Sequence, residues 1–162
     1  MAVLEIVKEG APVLRKQAEP VTQVTKRIRR LVKDMLDTMY EANGVGLAAP
    51  QVGMSQRIIV VDVGEGPVVL INPEIEEAAG SEIDSEGCLS IPGRWGYVER
   101  AQEVVVTGLN DSGRSVRLRA DGLFARALQH EIDHLDGVLF IDKALEIEED
   151  EAEEEEEKEE AR

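Results

Sequence analysis

The sequence predicts an α+β fold, with mainly antiparallel sheets packed around a central helix, a further helix near the N-terminus and an acidic C-terminal tail. The length of 162 residues fits one domain. Residues 25–41 show the helical spacing of apolar residues, and residues 123–135, between two Asp-Gly pairs, contain a single β-branched residue. Between these two segments lie several short apolar runs typical of strands. We therefore expect residues 1–145 to fold as one domain and residues 146–162 to form a solvated helix or a disordered extension.

The first predicted helix, residues 25–41, presents Ile28, Val32 and Met35 at helical spacing, with charged residues between them. It is expected to end near Asn43 and Gly44, since asparagine and glycine are common after a helix C-terminus. The glycine-rich segment that follows, residues 44–53, has no period and is predicted to be an ordered loop or an irregular strand.

The middle of the chain is predicted to form the sheets. Residues 57–63 and 68–71 are rich in β-branched side chains, which favour strands. Residues 98–109 and 115–119 are predicted to form a hairpin around the turn Asn-Asp-Ser-Gly at 110–113. The second helix, residues 123–135, lies between two Asp-Gly pairs, which completes the order helix, strands, helix and tail.

The net charge of −16 is concentrated in the tail. Residues 146–162 contain 12 acidic and two basic residues, so the other 145 residues have 22 acidic and 16 basic side chains, a net charge of −6. This mildly acidic domain lacks the basic excess of nucleic-acid binders, and we expect no direct nucleic-acid binding. No apolar run approaches the ~20 residues of a membrane helix, and the N-terminus lacks the basic start of a secretory signal, so a cytoplasmic protein is expected.

The second predicted helix carries an HExxH motif, His-Glu-Ile-Asp-His, at residues 130–134. Histidines four residues apart lie on one face of a helix, so the rings of His130 and His134 can converge on one ion. Glu131 lies about 100° further round the helix, where it can reach a water molecule beside the ion. The chain has no other histidine, so this spacing favours a metal site over two surface histidines.

Two histidines are too few for a catalytic metal, which usually has three protein ligands and one open position. The third ligand could be Cys88, the only cysteine of the chain, or one of many carboxylates. As a thiolate Cys88 would be a good ligand, and Gly87 before it permits close backbone approach. The residues alone leave a ligand and a small buried hydrophobe as open alternatives for Cys88.

Three segments together resemble the three motifs of the peptide deformylase family. Residues 44–51 (Gly-Val-Gly-Leu-Ala-Ala-Pro-Gln), 86–90 (Glu-Gly-Cys-Leu-Ser) and 129–134 (Gln-His-Glu-Ile-Asp-His) match them in the right order. Each motif alone is only suggestive, but the three together are specific, and the similarity extends from about residue 3 to residue 145. The resemblance implies a catalytic domain at residues 1–145 that removes the formyl group from the N-terminal formyl-methionine of newly made polypeptides.

The resemblance also implies the metal and its ligands. Cys88, His130 and His134 would bind one divalent ion, natively Fe(II), with zinc, nickel or cobalt able to occupy the same site. Glu131 would be the catalytic acid and base. The resemblance thus favours the ligand interpretation of Cys88.

The remaining site residues are implied in the same way. The side-chain amide of Gln51 and the backbone N–H of Leu89 would stabilise the oxyanion, while Val45 and Gly46 would line the cleft and bind the peptide backbone. An apolar pocket would accept the methionine side chain of the substrate, and ordinary core packing is an equal alternative for its candidates. These candidates are Leu123, Ala127 and Val45.

The implied partners are nascent formyl-methionine polypeptides and, transiently, the ribosome, and the chain is expected to be a monomer. Some family members are thought to approach the ribosome through a positively charged C-terminal segment, which a glutamate tail does not resemble. A small zinc endopeptidase and a structural metal site are the alternative functions. Endopeptidases of this type usually use a third His or Glu ligand, and the chain has no third histidine. Structural zinc sites normally have four protein ligands, and only three are visible here.

Overall fold

The computed structural model describes residues 2–149 and confirms the predicted α+β class. All paired strands are antiparallel, and they form a five-stranded sheet and a three-stranded sheet. The helices are α1 (Lys26–Glu41), α2 (Gly122–Leu135) and α3 (Phe140–Lys143), and the strands are β1 (Gly46–Ala48), β2 (Ile58–Val61), β3 (Val68–Ala79), β4 (Glu82–Cys88), β5 (Ile91–Arg100), β6 (Glu103–Leu109), β7 (Ser115–Asp121) and β8 (Glu146–Glu149). Within residues 2–149, no helix combines the length and apolar character needed to cross a membrane.

Helix α1 agrees with the first predicted helix. Thr25 caps its N-terminus, because the Thr25 hydroxyl accepts a hydrogen bond from the Ile28 N–H at 3.3 Å. The apolar face with Ile28, Val32 and Met35 is buried against the five-stranded sheet. The glycine-rich segment after α1 contains the short strand β1 and a 3₁₀ turn, Ala49–Val52, which fits the predicted irregular strand.

The five-stranded sheet has the order β1-β2-β3-β6-β7 and contains the predicted hairpin, β6 and β7. The Asn110 side chain accepts hydrogen bonds from the N–H groups of Ser112 and Arg114 and fixes the turn. Strand β3 is much longer than predicted, continuing through two register shifts to Ala79. Irregular pairing of this kind breaks the alternation of apolar and polar residues from which strands are recognised. The second half of β3 could therefore not be predicted from the sequence pattern.

The predicted strand at residues 98–109 is wrong as a single element. Strand β5 ends at Arg100 in the three-stranded sheet, and β6 begins at Glu103 in the other sheet. The break is held by the Gln129 side chain, which donates to the Ala101 carbonyl at 2.9 Å and accepts from the Ala101 N–H at 3.0 Å. Because this pairing depends on a side chain 28 residues away, the local sequence pattern does not reveal it.

Part of the acidic tail belongs to the fold. Residues 146–149 form β8, which pairs with β5 in the order β4-β5-β8, so the expected helix or disorder is wrong for these four residues. Gly96 on β5 permits this pairing, since a methyl group there would lie 2.7 Å from the carbonyl oxygen of Glu146. The fold thus continues at least to residue 149, and the rest of the predicted tail lies outside the described residues.

Helix α2 is the second predicted helix and the centre of the molecule. Its apolar side chains Ala125, Leu128 and Leu135 are fully buried in the main core against the five-stranded sheet. On the side of the three-stranded sheet, Arg126 of α2 donates to the carbonyl oxygens of Val98 and Glu82, both at 2.9 Å. Helix α2 is therefore packed on one sheet and hydrogen-bonded to the other.

Truncation after Leu145 should lower the free energy of unfolding by about 1–2 kcal/mol relative to truncation after Glu149, because only the shorter chain loses the hydrogen bonds of β8. The corresponding shift in Tm is about 2–8 °C for a domain of this size. Thermal unfolding followed by circular dichroism measures the difference. Equal melting of the two truncated proteins would show that β8 adds nothing to stability.

Candidate metal centre and active-site cleft

Helix α2 brings the two histidines together as the motif predicts. His130 and His134 lie one turn apart, both are buried, and their ring centres are 5.0 Å apart. Burial lowers the pKa of His134, which keeps its ring neutral. A neutral imidazole is the form that binds a metal ion.

Cys88 completes this group from the end of β4. Its Sγ atom lies 3.3 Å from Nε2 of His134, and the three potential ligand atoms of Cys88, His130 and His134 all lie within 4.8 Å of one another. Ligands at typical metal distances of about 2.1 Å for nitrogen and 2.3 Å for sulfur have similar separations around one ion. The donor set therefore fits one metal ion, and the geometry favours a ligand over a buried hydrophobe for Cys88.

Glu131 lies in the wall of the cleft beside this group. Its carboxylate is buried, and its Oε1 atom has no hydrogen-bond partner among the described residues. Burial raises the pKa of Glu131 to about 7. Buried carboxylates normally have partners, so an unpaired one at a cleft is suited to exchange protons with a bound molecule.

Gln51 approaches the cysteine from the glycine-rich segment. The side-chain oxygen of Gln51 accepts from the Ala48 N–H at 3.0 Å. Its side-chain amide nitrogen donates to the Ser90 hydroxyl at 3.1 Å and contacts Cys88 Sγ at 3.5 Å. Leu89 lies in the two-residue turn between the paired residues Cys88 and Ile91 and lines the cleft. The structure therefore places both predicted oxyanion donors next to the metal group.

The cleft has a volume of about 440 Å³ and lies between the glycine-rich segment, the β4–β5 turn and helix α2. All four predicted substrate-binding residues line it: Val45, Gly46, Leu123 and Ala127. Val45 and Leu123 are 44% and 56% exposed as whole residues, which argues against ordinary core packing. Ala127 is 5% exposed and belongs both to the cleft wall and to the main core.

Sequence reasoning missed Glu86 and the two arginines around it. The Glu86 carboxylate accepts from Arg100 through both oxygens at 2.8 Å, and from Arg126 at 2.6 Å. The same carboxylate lies 2.8 Å from Nδ1 of His130. An ionised carboxylate can only accept, so Nδ1 carries the proton and Nε2 is left to bind a metal.

The charge of Glu86 is secured by these neighbours. Burial opposes ionisation, but the hydrogen bonds and charges of Arg100 and His130 hold the pKa of Glu86 well below its usual range. Arg126 lies four residues before His130 and therefore on the same face of α2. The spacing of Arg126, His130 and His134 is a signal present in the sequence.

A cysteine and two histidines within ligand distance of one another, beside a buried acid in the wall of a cleft, are the arrangement of a metal-dependent hydrolase. The comparisons with known proteins narrow this class. The model of the polypeptide deformylase family matches residues 3–150, and the chain belongs to this family.

Individual relatives are similar in sequence to nearly the whole of this chain. The peptide deformylase of Halothermothrix orenii is 60% identical over 152 residues, which cover 93% of this chain and 99% of that protein. The peptide deformylase of Desulfitobacterium hafniense is 56% identical, with 89% and 96% of the two chains covered.

Solved structures give the same result for the fold. The crystal structure of peptide deformylase from Thermotoga maritima has a TM-score of 0.88 at 46% identity and covers 90% of this chain and 100% of its own. A peptide deformylase from Synechococcus elongatus, in complex with actinonin, has a TM-score of 0.86 at 49% identity, with 88% and 79% covered.

Replacement of Glu86 by glutamine should destabilise the protein by about 3 kcal/mol or more, because buried Arg126 loses its counter-charge and buried Arg100 keeps only Asp133. The affinity for a divalent metal should fall about 10–100-fold, since His130 loses the partner that orients its ring. Denaturant unfolding and a metal titration measure the two effects.

The matched control is Glu76→Gln, which removes an exposed ion pair with Arg117 and should change stability by less than about 1 kcal/mol. Equal stability and equal metal affinity in the two variants would contradict the role assigned to Glu86.

Proposed function

We propose that this chain hydrolyses the N-formyl group of the N-terminal formyl-methionine of newly made polypeptides, releasing formate. The observation that carries the proposal is the Cys88, His130 and His134 group beside Glu131, whose Oε1 atom has no hydrogen-bond partner within residues 2–149, in the cleft of a polypeptide deformylase family member. Close relatives that match along nearly their whole length are named peptide deformylases, which supports the same activity here.

The metal is proposed to be one divalent ion per chain, natively Fe(II), held by Cys88, His130 and His134. Zinc, nickel or cobalt are alternatives for the same ligands, since a thiolate and two imidazoles accept several divalent ions. Such an ion polarises a carbonyl group and lowers the pKa of water. The choice of iron rests on the family resemblance.

Glu131 is proposed to move the proton of the reaction. It takes a proton from water as the oxygen attacks the formyl carbon, and it passes that proton to the leaving amine nitrogen. The C–N bond breaks, and the products are formate and a free N-terminus. The burial that raises the pKa of Glu131 to about 7 supports this role, because acid–base catalysts work best with a pKa near the ambient pH.

The oxyanion that develops on the formyl oxygen is proposed to be held by the Gln51 amide and the Leu89 N–H. The Gln51 amide is fixed in orientation by Ala48 and Ser90, so it needs little reorganisation during the reaction. One such donor typically stabilises a transition state by about 3–4 kcal/mol.

The substrate is proposed to lie extended along Val45 and Gly46. Strand β1 is at one edge of the five-stranded sheet, and the Val45 carbonyl just before it accepts from the Asp62 N–H at 2.8 Å, which fixes this part of the cleft. A peptide can add to such an edge as a further strand. Its methionine side chain would contact the exposed apolar groups of Val45 and Leu123 and the Ala127 methyl group.

The partners and location follow from this substrate. We propose a cytoplasmic protein that meets nascent polypeptides and, transiently, the ribosome. The chain is also proposed to be a monomer. The net charge of −6 outside the tail is the reason for proposing no direct nucleic-acid binding.

Formate release from formyl-Met-Ala-Ser by protein purified anaerobically, together with elemental analysis, tests the proposal. Wild-type protein should release formate and contain one metal ion per chain. Glu131→Ala should keep its metal and lose activity by 100-fold or more, since proton transfer contributes about 10²–10⁴-fold. Cys88→Ala should lose metal and activity together, because it removes a ligand.

Two results would count against this assignment. Near-normal activity of Glu131→Ala would remove the acid–base role, and full metal content with an unchanged rate in Cys88→Ala would remove the ligand role. Cleavage of casein into fragments without formate release would instead support an endopeptidase.

Gly46→Ala should lower kcat at least tenfold while the metal is retained. A methyl group at Gly46 would collide with the Glu131 carboxylate and displace it from the cleft. The control is Gly87→Ala, whose methyl group meets only the Arg94 carbonyl at 3.7 Å, an ordinary contact, and should lose far less. Similar rates for the two alanine variants would show that Glu131 is not confined by Gly46.

A further inference from the structure

The N-terminal segment Val7–Lys8–Glu9, here called the N-terminal strap, is hydrogen-bonded to two walls of the cleft. The Val7 N–H donates to the backbone carbonyl of Gln51 at 2.7 Å, and the Glu9 N–H donates to the backbone carbonyl of Ser90 at 2.8 Å. Between them, the Lys8 ammonium group donates to the Leu89 carbonyl at 3.3 Å. Three successive residues thus contact the two places that carry the proposed oxyanion donors.

Gln51 and the Leu89–Ser90 turn are far apart in sequence. One side-chain hydrogen bond already joins them: the Gln51 amide donates to the Ser90 hydroxyl at 3.1 Å, across 39 residues. The strap adds a second link between them through the backbone. The result is a closed ring of hydrogen bonds in which the strap fixes Gln51 at one end and the Leu89–Ser90 turn at the other.

The Leu89–Ser90 turn is the part of this ring that depends most on outside support. Only two residues join the paired positions Cys88 and Ile91, so their peptide groups are not held by the strand ladder. The strap provides this support, because it donates hydrogen bonds to the carbonyl oxygens of both Leu89 and Ser90. Fixed carbonyl groups restrict the backbone torsions that aim the Leu89 N–H.

We propose that the N-terminal strap is a positioning element that keeps Gln51 and the Leu89 N–H aligned as a pair of oxyanion donors. The inference rests on the proposed function for its kinetic consequence. Donors of this kind must be held within about 0.5 Å of their working geometry. A small displacement therefore slows the chemical step and leaves substrate and metal binding intact.

The strap ends in a turn that makes a sharp test feasible. Residues 8–11 form a β-turn, in which the Ala11 N–H donates to the Lys8 carbonyl at 3.2 Å and Gly10 has a φ of +102°. A positive φ at the third position marks a type II turn, whose second position, here Glu9, favours proline. Glu9→Pro therefore keeps the turn but removes the N–H that bonds to Ser90 and puts a ring carbon in its place, which pushes the strap away from the Ser90 carbonyl.

Glu9→Ala is the matched control. Both variants lose the contact of the Glu9 carboxylate with Arg94 at 3.5 Å, but alanine retains the backbone N–H. On formyl-Met-Ala-Ser, kcat of Glu9→Pro should be about tenfold below that of Glu9→Ala, with the same KM and the same metal content. Equal kcat values in the two variants, against an active wild type, would overturn the proposal.

Lys8 provides an independent comparison. Lys8→Met removes the donor to the Leu89 carbonyl and should lower kcat about two- to threefold, whereas Lys8→Arg retains a cationic donor and should restore it. A merely structural contribution would change the melting temperature of the methionine variant and leave its kcat near the wild-type value, which would count against the strap.

Amide hydrogen exchange gives a readout that does not need turnover. In zinc-loaded full-length protein studied by NMR, the Leu89 backbone amide and the Gln51 side-chain amide should change in shift and exchange faster in Glu9→Pro than in Glu9→Ala. Identical exchange in the two variants would overturn the positioning role of the strap even if the enzyme is active. Absence of formate release by wild-type protein would overturn the proposed function instead, and the exchange result would still decide the strap.

Discussion

The buried carboxylate of Glu86 is the interaction on which the site depends. It lies on β4 and bonds to Arg100 on β5 and to Arg126 and His130 on α2. A carboxylate at this depth is stable only with cations beside it, and two buried guanidinium groups are stable only with an anion. The carboxylate and its partners therefore stabilise one another. Since Arg126 and His130 both lie on α2, these bonds favour one rotation of the helix about its axis against the three-stranded sheet.

This rotation determines where the reactive groups face. With Nδ1 of His130 bound to Glu86, the other ring nitrogen is directed to the group that contains Cys88. Glu131 then falls on the neighbouring face, beside Gly46, where the absence of a side chain leaves room for its carboxylate. The metal group, the proposed acid–base residue and the cleft wall thus have one common origin in how α2 is docked.

The fold was predictable wherever local rules determine it. Helices α1 and α2 follow from apolar spacing and from the residues that end them, and the β6–β7 hairpin follows from its turn. Strand β4 was missed because its residues are mostly polar and exposed, and the break between β5 and β6 was missed because Gln129 holds it from a distance. Strand β8 was missed because a glutamate run normally repels itself, and its pairing depends on the room that Gly96 leaves.

The same division applies to the site. The sequence by itself determined that His130 and His134 share one face of a helix, one turn apart, and that Glu131 lies about 100° further round. The residues alone left Cys88 open, and the family resemblance favoured it as a ligand. Only the tertiary structure brought its sulfur next to His134, 46 residues away, and Glu86 next to His130, 44 residues away. Contacts at such separations depend on the packing of β4 and β5 against α2, and no local spacing rule contains that information.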